Sequence, residues 1–591
     1  MKKRTIILWS ILCVFLSACV YLTLPSSCNK DKPAPEKLEQ AAAAPEEIDY
    51  DSIVEAYFAA RPVRDVPKEA DLTAFLVGTY AKNHRDFKTA ADAYAKVLKT
   101  DPQNKEVKEN LYLYFVLSGR VDQALPYAYQ VLDDAPNELL PLMVILSENV
   151  QSQDFQSALQ TVDKAKSSYQ SFLSPLLKAW IYTGLNDKDQ ALKTLDALKG
   201  EESLQAAYLL HRALILDYFG QTQAAAQSYG ELMKRNETKN VRVLLLLKDF
   251  ETRTHALTDK KSFALQYATL SDESFISKEM MTSPGDGERV RTPIQGISWV
   301  FFDIASAMGQ SANLDLSLFF ANLALYLNPN SSITQLFMGE VLEELQLLDQ
   351  ANALYAMVKP DQNIFLSVQM RAIINQIKTK QIKSAIQSLN ALIKVYPKAA
   401  LFHMTLGDAY REEGDYKKAF EAYQNAKALA NPYDKQTAPI YFYQGVCKEA
   451  LGEKKEAIAL FEQALKLDPE NPLYLNYAGY LWLEQNENIP MALEMIQKAV
   501  AKAPNDGSIL DSLGWAYYLM GDYDRALPIL ERAVTLEAGN AVLNSHLGDV
   551  YWRLGRFREA RVQWAHAASL KEGLTPDLQA QLEEKIKMGL K

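Results

Sequence analysis

The sequence predicts an all-α solenoid, a stack of antiparallel helix pairs, and three spacings in the chain support this fold class. From Ser298 onward a pattern recurs about every 34 residues, the repeat length of a two-helix unit. Most units have a small residue at the eighth and twentieth places, which lets two helices approach closely, and Pro near the end, which stops the second helix. The small residues are Gly339, Gly407, Gly445, Gly479, Gly514 and Gly548 at the eighth place, and Ala351, Ala385, Ala419, Ala457, Ala492, Ala526 and Ala560 at the twentieth.

This pattern resembles the tetratricopeptide repeat (TPR), which implies a superhelix of helix pairs that binds other proteins. We expect a C-terminal array over residues 298–574 and a capping helix over 575–591, because the exposed last face of a solenoid needs a polar cover. The expected units of this array begin at Ser298, Ser332, Leu366, Ala400, Ala438, Pro472, Gly507 and Ala541.

An N-terminal array with a degenerate pattern is predicted over residues 51–239, which brings the total to about thirteen units in two arrays. Between the arrays, residues 240–297 break the period and contain the most turn-rich stretch of the chain. We expect an irregular connecting segment, which binds a partner, serves as a hinge or is a plain surface excursion. The units of the first array begin near Asp71, Lys105, Leu139, Phe172 and Ala206.

The N-terminus has the features of an export signal. Basic residues at 2–4 precede an apolar run, which continues into Leu16-Ser17-Ala18-Cys19 and resembles a bacterial lipoprotein signal peptide over residues 1–18. The resemblance implies a lipid on Cys19 and, because Val20 follows, the outer membrane of a Gram-negative cell with the body facing the periplasm. An uncleaved inner-membrane signal anchor with a periplasmic body is the alternative, since the apolar stretch extends to Leu24. Residues 19–50 then form a flexible tether.

Composition and motifs argue against several function classes. The net charge is −10 and no basic block follows the N-terminus, which disfavours nucleic acid as a partner. The sequence has no GxSxG, HExxH, Walker or GxGxxG motif, and its six histidines lack metal-ligand spacing. We therefore expect no catalytic residue, metal, cofactor or small-molecule substrate, although a Ser, a His and an Asp could still converge in space. Cys447 is expected to be a small buried hydrophobe.

A protein-binding groove is the expected functional site. In the repeat family the second, fifth, ninth and twelfth residues of each first helix line this groove, and the aromatic ones would anchor a partner. We expect Trp515, Tyr518 and Trp552 on one concave surface beside Asp511 and Asp549, which would favour basic residues; the alternative is packing against the next unit. The candidates are Met404, Asp408, Arg411, Phe442, Glu449, Asn476, Tyr480, Leu483, Asp511, Trp515, Tyr518, Ser545, Asp549 and Trp552.

The family's carboxylate clamp of Lys and Asn is missing. Asn476 stands alone, and Asp408 and Asp549 occupy places where a clamp needs Asn or Arg. Acidic groups would repel a free C-terminal carboxylate, so this mode of recognition is disfavoured.

Three longer segments resemble a proteobacterial group of long TPR lipoproteins: TPIQGI at 292–297, LGWAY at 513–517 and LGDVYWRLG at 547–555. The resemblance implies a membrane-tethered periplasmic scaffold, including adaptors that bring a periplasmic carboxyl-terminal processing protease to cell-wall enzymes. Its expected partners are periplasmic or outer-membrane proteins. The alternatives are a structural subunit of an outer-membrane assembly or polysaccharide export complex and, third, an enzyme acting on peptidoglycan.

Overall fold

The structure of the chain is a computed structural model that describes residues 71–165, 172–235, 241–258, 260–261, 263–264, 289–485 and 488–590. These residues form 28 α-helices, and no β-strand occurs among them, so the all-α solenoid is confirmed. None of the helices in this part of the chain is long and apolar enough to cross a membrane. The predicted signal peptide, Cys19 and the tether lie outside the described residues.

Two compact units divide the chain, unit 1 (Met1–Ala372) and unit 2 (Ile373–Lys591). The helices that begin in unit 1 are α1 (Leu72–Asn83), α2 (Phe87–Thr100), α3 (Lys105–Leu117), α4 (Val121–Asp134), α5 (Leu139–Gln151), α6 (Phe155–Lys164), α7 (Leu173–Gly184), α8 (Lys188–Leu195), α9 (Gln205–Tyr218), α10 (Thr222–Met233), α11 (Val241–Thr254), α12 (Pro293–Gln310), α13 (Leu314–Leu327), α14 (Ser332–Glu344), α15 (Leu348–Tyr355) and α16 (Phe365–Lys378), which contains the boundary. Those of unit 2 are α17 (Ile382–Val395), α18 (Ala400–Glu413), α19 (Tyr416–Leu429), α20 (Ala438–Ala450), α21 (Lys454–Leu467), α22 (Pro472–Glu484), α23 (Ile489–Lys502), α24 (Gly507–Leu519), α25 (Tyr523–Leu536), α26 (Ala541–Arg553), α27 (Phe557–Ser569) and α28 (Pro576–Met588).

Aspartates start the second helix of several pairs. Asp86, Asp154, Asp187, Asp415 and Asp522 each accept a hydrogen bond from the backbone N–H three residues later. A carboxylate in this place satisfies a free N–H group and lies at the positive end of the helix dipole. The short turn before each aspartate therefore ends in a defined helix start.

The two helices of a pair pack closely where the first contributes glycine. A Cβ atom on Gly407 would lie 2.5 Å from the ring of Tyr423, and one on Gly445 would lie 2.5 Å from the ring of Phe461. Both rings are fully buried. The role predicted for the eighth place is thus confirmed, because any side chain there would displace the large residue that fills the hairpin.

The predicted repeat frame agrees closely with the helices of unit 2. The expected capping helix is present as α28, which packs against α27. The expected unit starts that are also the first residue of a helix are Lys105, Leu139, Ser332, Ala400, Ala438, Pro472, Gly507 and Ala541.

The structure corrects the organisation predicted for residues 240–298. Residues 241–254, expected to be irregular, form α11, whose side chains from Val243 to Leu247 are buried in the core. A run of apolar residues without Gly or Ala markers has no visible repeat period, although it suits a buried helix. Ser298 is not a helix start: α12 begins at Pro293 behind a capping box made by Thr292 and Gln295. The boundary between compact units also differs from the predicted division at 240–297.

The hairpin of α12 and α13 fills the inner side of unit 1. Helix α12 packs on α7, while α13 packs on α3, α4 and α5, which belong to the N-terminal repeats. One hydrophobic core therefore runs through unit 1 from Ala74 to Val368. Helices α5, α12 and α13 are buried on almost every face, as expected for helices that are apolar all round.

A buried polar cluster fastens α12 to the N-terminal helices. Asp303 of α12 accepts hydrogen bonds from Nε2–H of His211 at 3.0 Å and from the guanidinium of Arg242. The indole N–H of Trp180 donates to Nδ1 of His211 at 2.8 Å, so the proton of that ring is on Nε2. Burial acts to raise the pKa of Asp303, but Arg242 and His211 outweigh it and hold this pKa below its ordinary value.

Candidate functional site

The first helices of the repeats in unit 2 are α18, α20, α22, α24 and α26, and α24 contacts both α22 and α26. We refer to the side of these helices that carries the fifth, ninth and twelfth places as the inner face. Within unit 2, α28 is the one described element that covers part of it. The candidates that stay partly exposed are Met404, Asp408, Arg411, Glu449, Tyr480, Trp515, Tyr518 and Trp552.

A stacked column of three rings lies on the inner face of α24 and α26. The ring of Trp515 stacks on Tyr518, with centroids 4.5 Å apart, and on His546 from its other side, with centroids 3.9 Å apart. Arg553 donates from Nε to the hydroxyl of Tyr518 at 3.4 Å. We refer to Tyr518, Trp515 and His546 as the aromatic column. Two of the three expected anchors are therefore in contact, together with a histidine that the sequence analysis did not select.

Trp552 lies apart from this column, contrary to expectation. Its ring packs against Trp564 and Phe557, with centroids 5.5 and 4.6 Å away. Helix α28 crosses above it, and Gly589 approaches the ring so closely that a side chain at that position would collide with it. The twelfth place of the last repeat is thus used to seat the capping helix.

The two aspartates expected to attract basic residues already have partners inside the chain. Asp511 accepts a hydrogen bond from Nδ1–H of His546 at 2.8 Å. Asp549 is only 4% exposed and accepts from the indole N–H of Trp564 and from Nζ of Lys585 of α28, both at 2.8 Å. The ninth and twelfth places of α26 are therefore closed by α28, and Ser545 is buried with them.

Phe442 and Leu483 belong to the core of unit 2, which corrects their assignment to the groove. Phe442 is 2% exposed, and its ring contacts those of Tyr474, Phe461 and Tyr477. Tyr474 and Tyr477 lie on the next hairpin, so the alternative of packing against the next unit applies to Phe442.

Asp408 and Arg411 mark the inner face of α18. The hydroxyl of Tyr423 donates to Asp408 at 2.7 Å, and burial raises the pKa of Asp408 despite this hydrogen bond. The guanidinium of Arg411 lies 5.2 Å from the ring centroid of Tyr443, in cation–π geometry. Met404 packs beside this group, against the cluster that contains Tyr423.

An acidic group of side chains surrounds Tyr480 on α22. Burial raises the pKa of the Tyr480 hydroxyl, and the neighbouring carboxylates of Glu484, Asp511 and Glu449 raise it further. Asn476 lies one helical turn before Tyr480 and therefore projects from the same side of α22. We refer to Asn476, Tyr480, Glu449 and Glu484 as the Tyr480 pocket.

Chemistry-bearing side chains are sparse in the described part of the chain. No group of three His, Cys, Asp or Glu residues there could hold a metal ion. Cys447 is buried, as expected, and burial raises the pKa of its thiol to about 12, so it stays protonated. A polar cavity of about 430 Å³ in unit 1 is lined by Arg289 and Arg291, the described end of the predicted connecting segment, and by Lys359 and Asp361.

Comparison with known proteins agrees with this geometry. Family models of the tetratricopeptide repeat match residues 77–138, 398–470, 448–507 and 517–568. The chain contains tetratricopeptide repeats. Repeats of this kind generally mediate protein–protein interaction and are not themselves catalytic, which agrees with an inner face that carries aromatic and polar side chains.

Among curated proteins, this TPR chain is 29% identical over 219 residues to TPR repeat-containing protein PA4667 of Pseudomonas aeruginosa, an alignment that covers 36% of this chain and 35% of that protein. It is 30% identical over 147 residues to the protein CTR9 homolog of Arabidopsis thaliana, covering 24% of this chain and 13% of the other. The chain thus spans about a third or less of the length of these relatives.

Among solved structures, the APC/C hetero-tetramer Cut9–Hcn1 is similar over 92% of this chain and 99% of the matched chain, with 16% identity and a TM-score of 0.37. The MamA protein matches 29% of this chain and 91% of its own, with 21% identity and a TM-score of 0.25. These scores are too low to relate any site of these proteins to this one.

Proposed function

We propose that this chain is a membrane-tethered scaffold that gathers other proteins on the inner face of unit 2. The aromatic column carries this proposal. Its rings are partly exposed and pre-stacked, so they offer a partner aromatic contact with little further loss of side-chain entropy. In unit 1 the corresponding side is filled by α12 and α13, which leaves unit 2 as the half with an inner face available for binding.

The tether in this proposal is the N-terminal segment. A lipid on Cys19 would anchor the protein in the outer membrane, and residues 19–50 would let its body reach into the periplasm. Anchoring several binding surfaces near one membrane raises the local concentration of their partners. The partners proposed are periplasmic or outer-membrane proteins, among them a protease and the cell-wall enzymes that it would process.

The binding half of the proposal is tested by replacing both Trp515 and Tyr518 with Ala in the full chain. Capture of partners from a periplasmic extract should weaken by roughly 2 to 4 kcal/mol if the column is a hot spot. Helicity measured by circular dichroism should stay unchanged, because neither ring fills a hairpin.

The matched control is Tyr433→Ala, which removes a loop tyrosine that is 88% exposed and should leave capture intact. Loss of helicity in the double variant would mean that the column is core. Intact helicity with undiminished capture would place the binding surface elsewhere.

The tethering half is tested by Cys19→Ala. The variant should accumulate as an unprocessed precursor and should incorporate no palmitate in a metabolic labelling experiment. Unchanged labelling would refute lipidation at Cys19, and a precursor of unchanged size in both proteins would favour the signal anchor.

A further inference from the structure

Two polar side chains of the Tyr480 pocket have no hydrogen-bond partner in the described part of the chain. Asn476 is 7% exposed, and its Oδ1 accepts no hydrogen bond from any described residue. Glu449 is partly buried and forms neither a hydrogen bond nor an ion pair with any described residue. Buried polar atoms are nearly always satisfied in folded proteins, so the unsatisfied Oδ1 of Asn476 beside the unpaired carboxylate of Glu449 indicates a missing donor.

The charges around Tyr480 do not balance. Glu449, Glu484 and Asp511 all act on its hydroxyl. Asp511 accepts a hydrogen bond from His546 at 2.8 Å, and Glu484 forms an ion pair with Lys454 at 2.9 Å. Glu449 forms no ion pair with a described residue. Burial and the nearby Glu484 raise its pKa above the ordinary value, and Lys454, which acts in the opposite direction, does not offset them. The pocket therefore holds a carboxylate, that of Glu449, without an ion-pair partner among the described residues, and a positive charge on a bound segment would pair with it.

The position of the pocket fits recognition of a bound protein segment. Tyr480 and Trp515 occupy the ninth places of α22 and α24, first helices that are in contact with each other. A segment that lies on the aromatic column would therefore extend over the Tyr480 pocket. The pocket offers acceptor oxygens and an aromatic ring among several carboxylates, which disfavours an acidic side chain as its occupant.

We propose that the Tyr480 pocket takes an arginine side chain of the segment that binds to the inner face, an inference that rests on the proposed function. A guanidinium has several N–H donors in one plane and no acceptor, which matches the carboxylate of Glu449 and Oδ1 of Asn476. Its flat face stacks on tyrosine, whereas the compact ammonium of lysine offers no plane to do so. Arginine thus supplies the missing charge, and the aromatic column supplies apolar contact.

The test uses the full chain and four pools of nine-residue peptides that are randomised at every position except the central one. The central residue is arginine, citrulline, lysine or glutamate, and citrulline has the shape of arginine without its charge. Peptides retained by the immobilised protein are quantified by mass spectrometry. The arginine pool should be retained at least roughly tenfold more than the citrulline pool, since a partly buried charge pair is lost with citrulline. This comparison needs no variant and so does not depend on how a variant folds.

Variants of single carboxylates test whether the preference for the arginine pool comes from the Tyr480 pocket. Glu449→Gln keeps the shape of the side chain and should reduce retention of the arginine pool to that of citrulline, and Glu484→Gln should reduce it less. The matched control is Glu494→Gln on α23, which removes the same charge from an exposed pair with Lys498 and should leave the preference unchanged.

Equal retention of the arginine and citrulline pools by the natural chain would overturn the inference, as would an arginine preference that survives Glu449→Gln. A lysine pool retained as well as the arginine pool would overturn the assignment to a guanidinium. Peptide binding that depends on Trp515 and Tyr518 but ignores the central residue would remove the arginine pocket and leave the scaffold function standing. Capture by the variant that lacks Trp515 and Tyr518 tests the scaffold function and does not test the arginine pocket.

Discussion

The two units of this chain are built from the same kind of helix pair, but they differ in how far the inner face of their first helices is covered. In unit 1, α12 and α13 lie on the first helices of the N-terminal repeats, so that α5 and α12 are buried on nearly all sides. In unit 2 only α28 covers part of the inner face among the described elements, and tyrosine, tryptophan and charged side chains remain partly exposed along it. A repeat motif therefore determines how helices pair, whereas the covering of the inner face determines whether a repeat stabilises the fold or is available for binding.

The largest effect on stability is expected at the buried polar cluster of Asp303, His211 and Arg242, which joins α12 to the N-terminal helices of unit 1. Asp303→Ala leaves Arg242 buried without its carboxylate, which should lower the free energy of unfolding by about 3 to 5 kcal/mol. Hydrogen exchange should show the loss in α7, α9, α11 and α12. The control is Asp315→Ala on α13, which breaks a partly exposed pair with Arg85 and should cost less than about 1 kcal/mol. Equal losses in the two variants would show that the buried cluster does not hold α12 in place.

Overpacking of one hairpin tests whether stability in unit 2 is local. A Cβ atom on Gly514 would lie 2.5 Å from Leu530, so Gly514→Leu should cost about 1 to 3 kcal/mol. Protection from hydrogen exchange should fall mainly in residues 473–574 and hardly in unit 1. Gly539→Leu is the control, since a Cβ atom there would meet only Glu572, at 3.8 Å. A uniform loss of protection from residue 71 onward would contradict the repeat model.

A smaller effect is expected where α28 covers part of the inner face of unit 2. Lys585→Ala removes a partner of the buried Asp549 and should cost about 1 to 2 kcal/mol, measured by denaturant unfolding. Lys587→Ala removes the same charge from an exposed place on α28 and should stay within about 0.5 kcal/mol. If the two substitutions have the same effect, Asp549 does not depend on α28.

The smallest effect on stability is expected at Glu449, and it tests whether this side chain serves binding rather than stability. Because the pKa of Glu449 is raised in the folded state, its ionised form destabilises the fold above that pKa, and the penalty disappears as the pH falls toward the ordinary carboxyl value of about 4. Glu449→Gln should therefore raise the free energy of unfolding by about 0.5 kcal/mol at neutral pH. This gain in stability should vanish as the pH approaches about 4, the ordinary pKa of a carboxyl group.

Glu494 is the control for Glu449, because its pKa is shifted in the opposite direction. The hydrogen bond with Lys498 lowers the pKa of Glu494, so Glu494→Gln should bring no gain at neutral pH. Urea unfolding of both variants at several pH values measures the difference. A loss of stability in Glu449→Gln at neutral pH would mean that its carboxylate has a stabilising partner.

Several site residues could be located from spacing, but their accessibility could not. The places of Trp515, Tyr518 and Tyr480 in their helices put them on the inner face, where the structure also has them. Phe442 has an equivalent place in α20, yet it is core, because Tyr474 and Tyr477 of the next repeat close over it. His546 carried no sequence signal of its own, since its role comes from stacking on Trp515 and pairing with Asp511.

The sequence by itself determined the local architecture: the helix pairs, the aspartates that start helices, and the glycines opposite Tyr423 and Phe461. These depend on residues within one or two repeats, and the 34-residue period reveals the helix pairs and their glycines. Only the tertiary structure decided which inner face is filled. His211 meets Asp303 across 92 residues, and Lys585 meets Asp549 across 36. Such contacts join helices of different hairpins, so no single repeat encodes them.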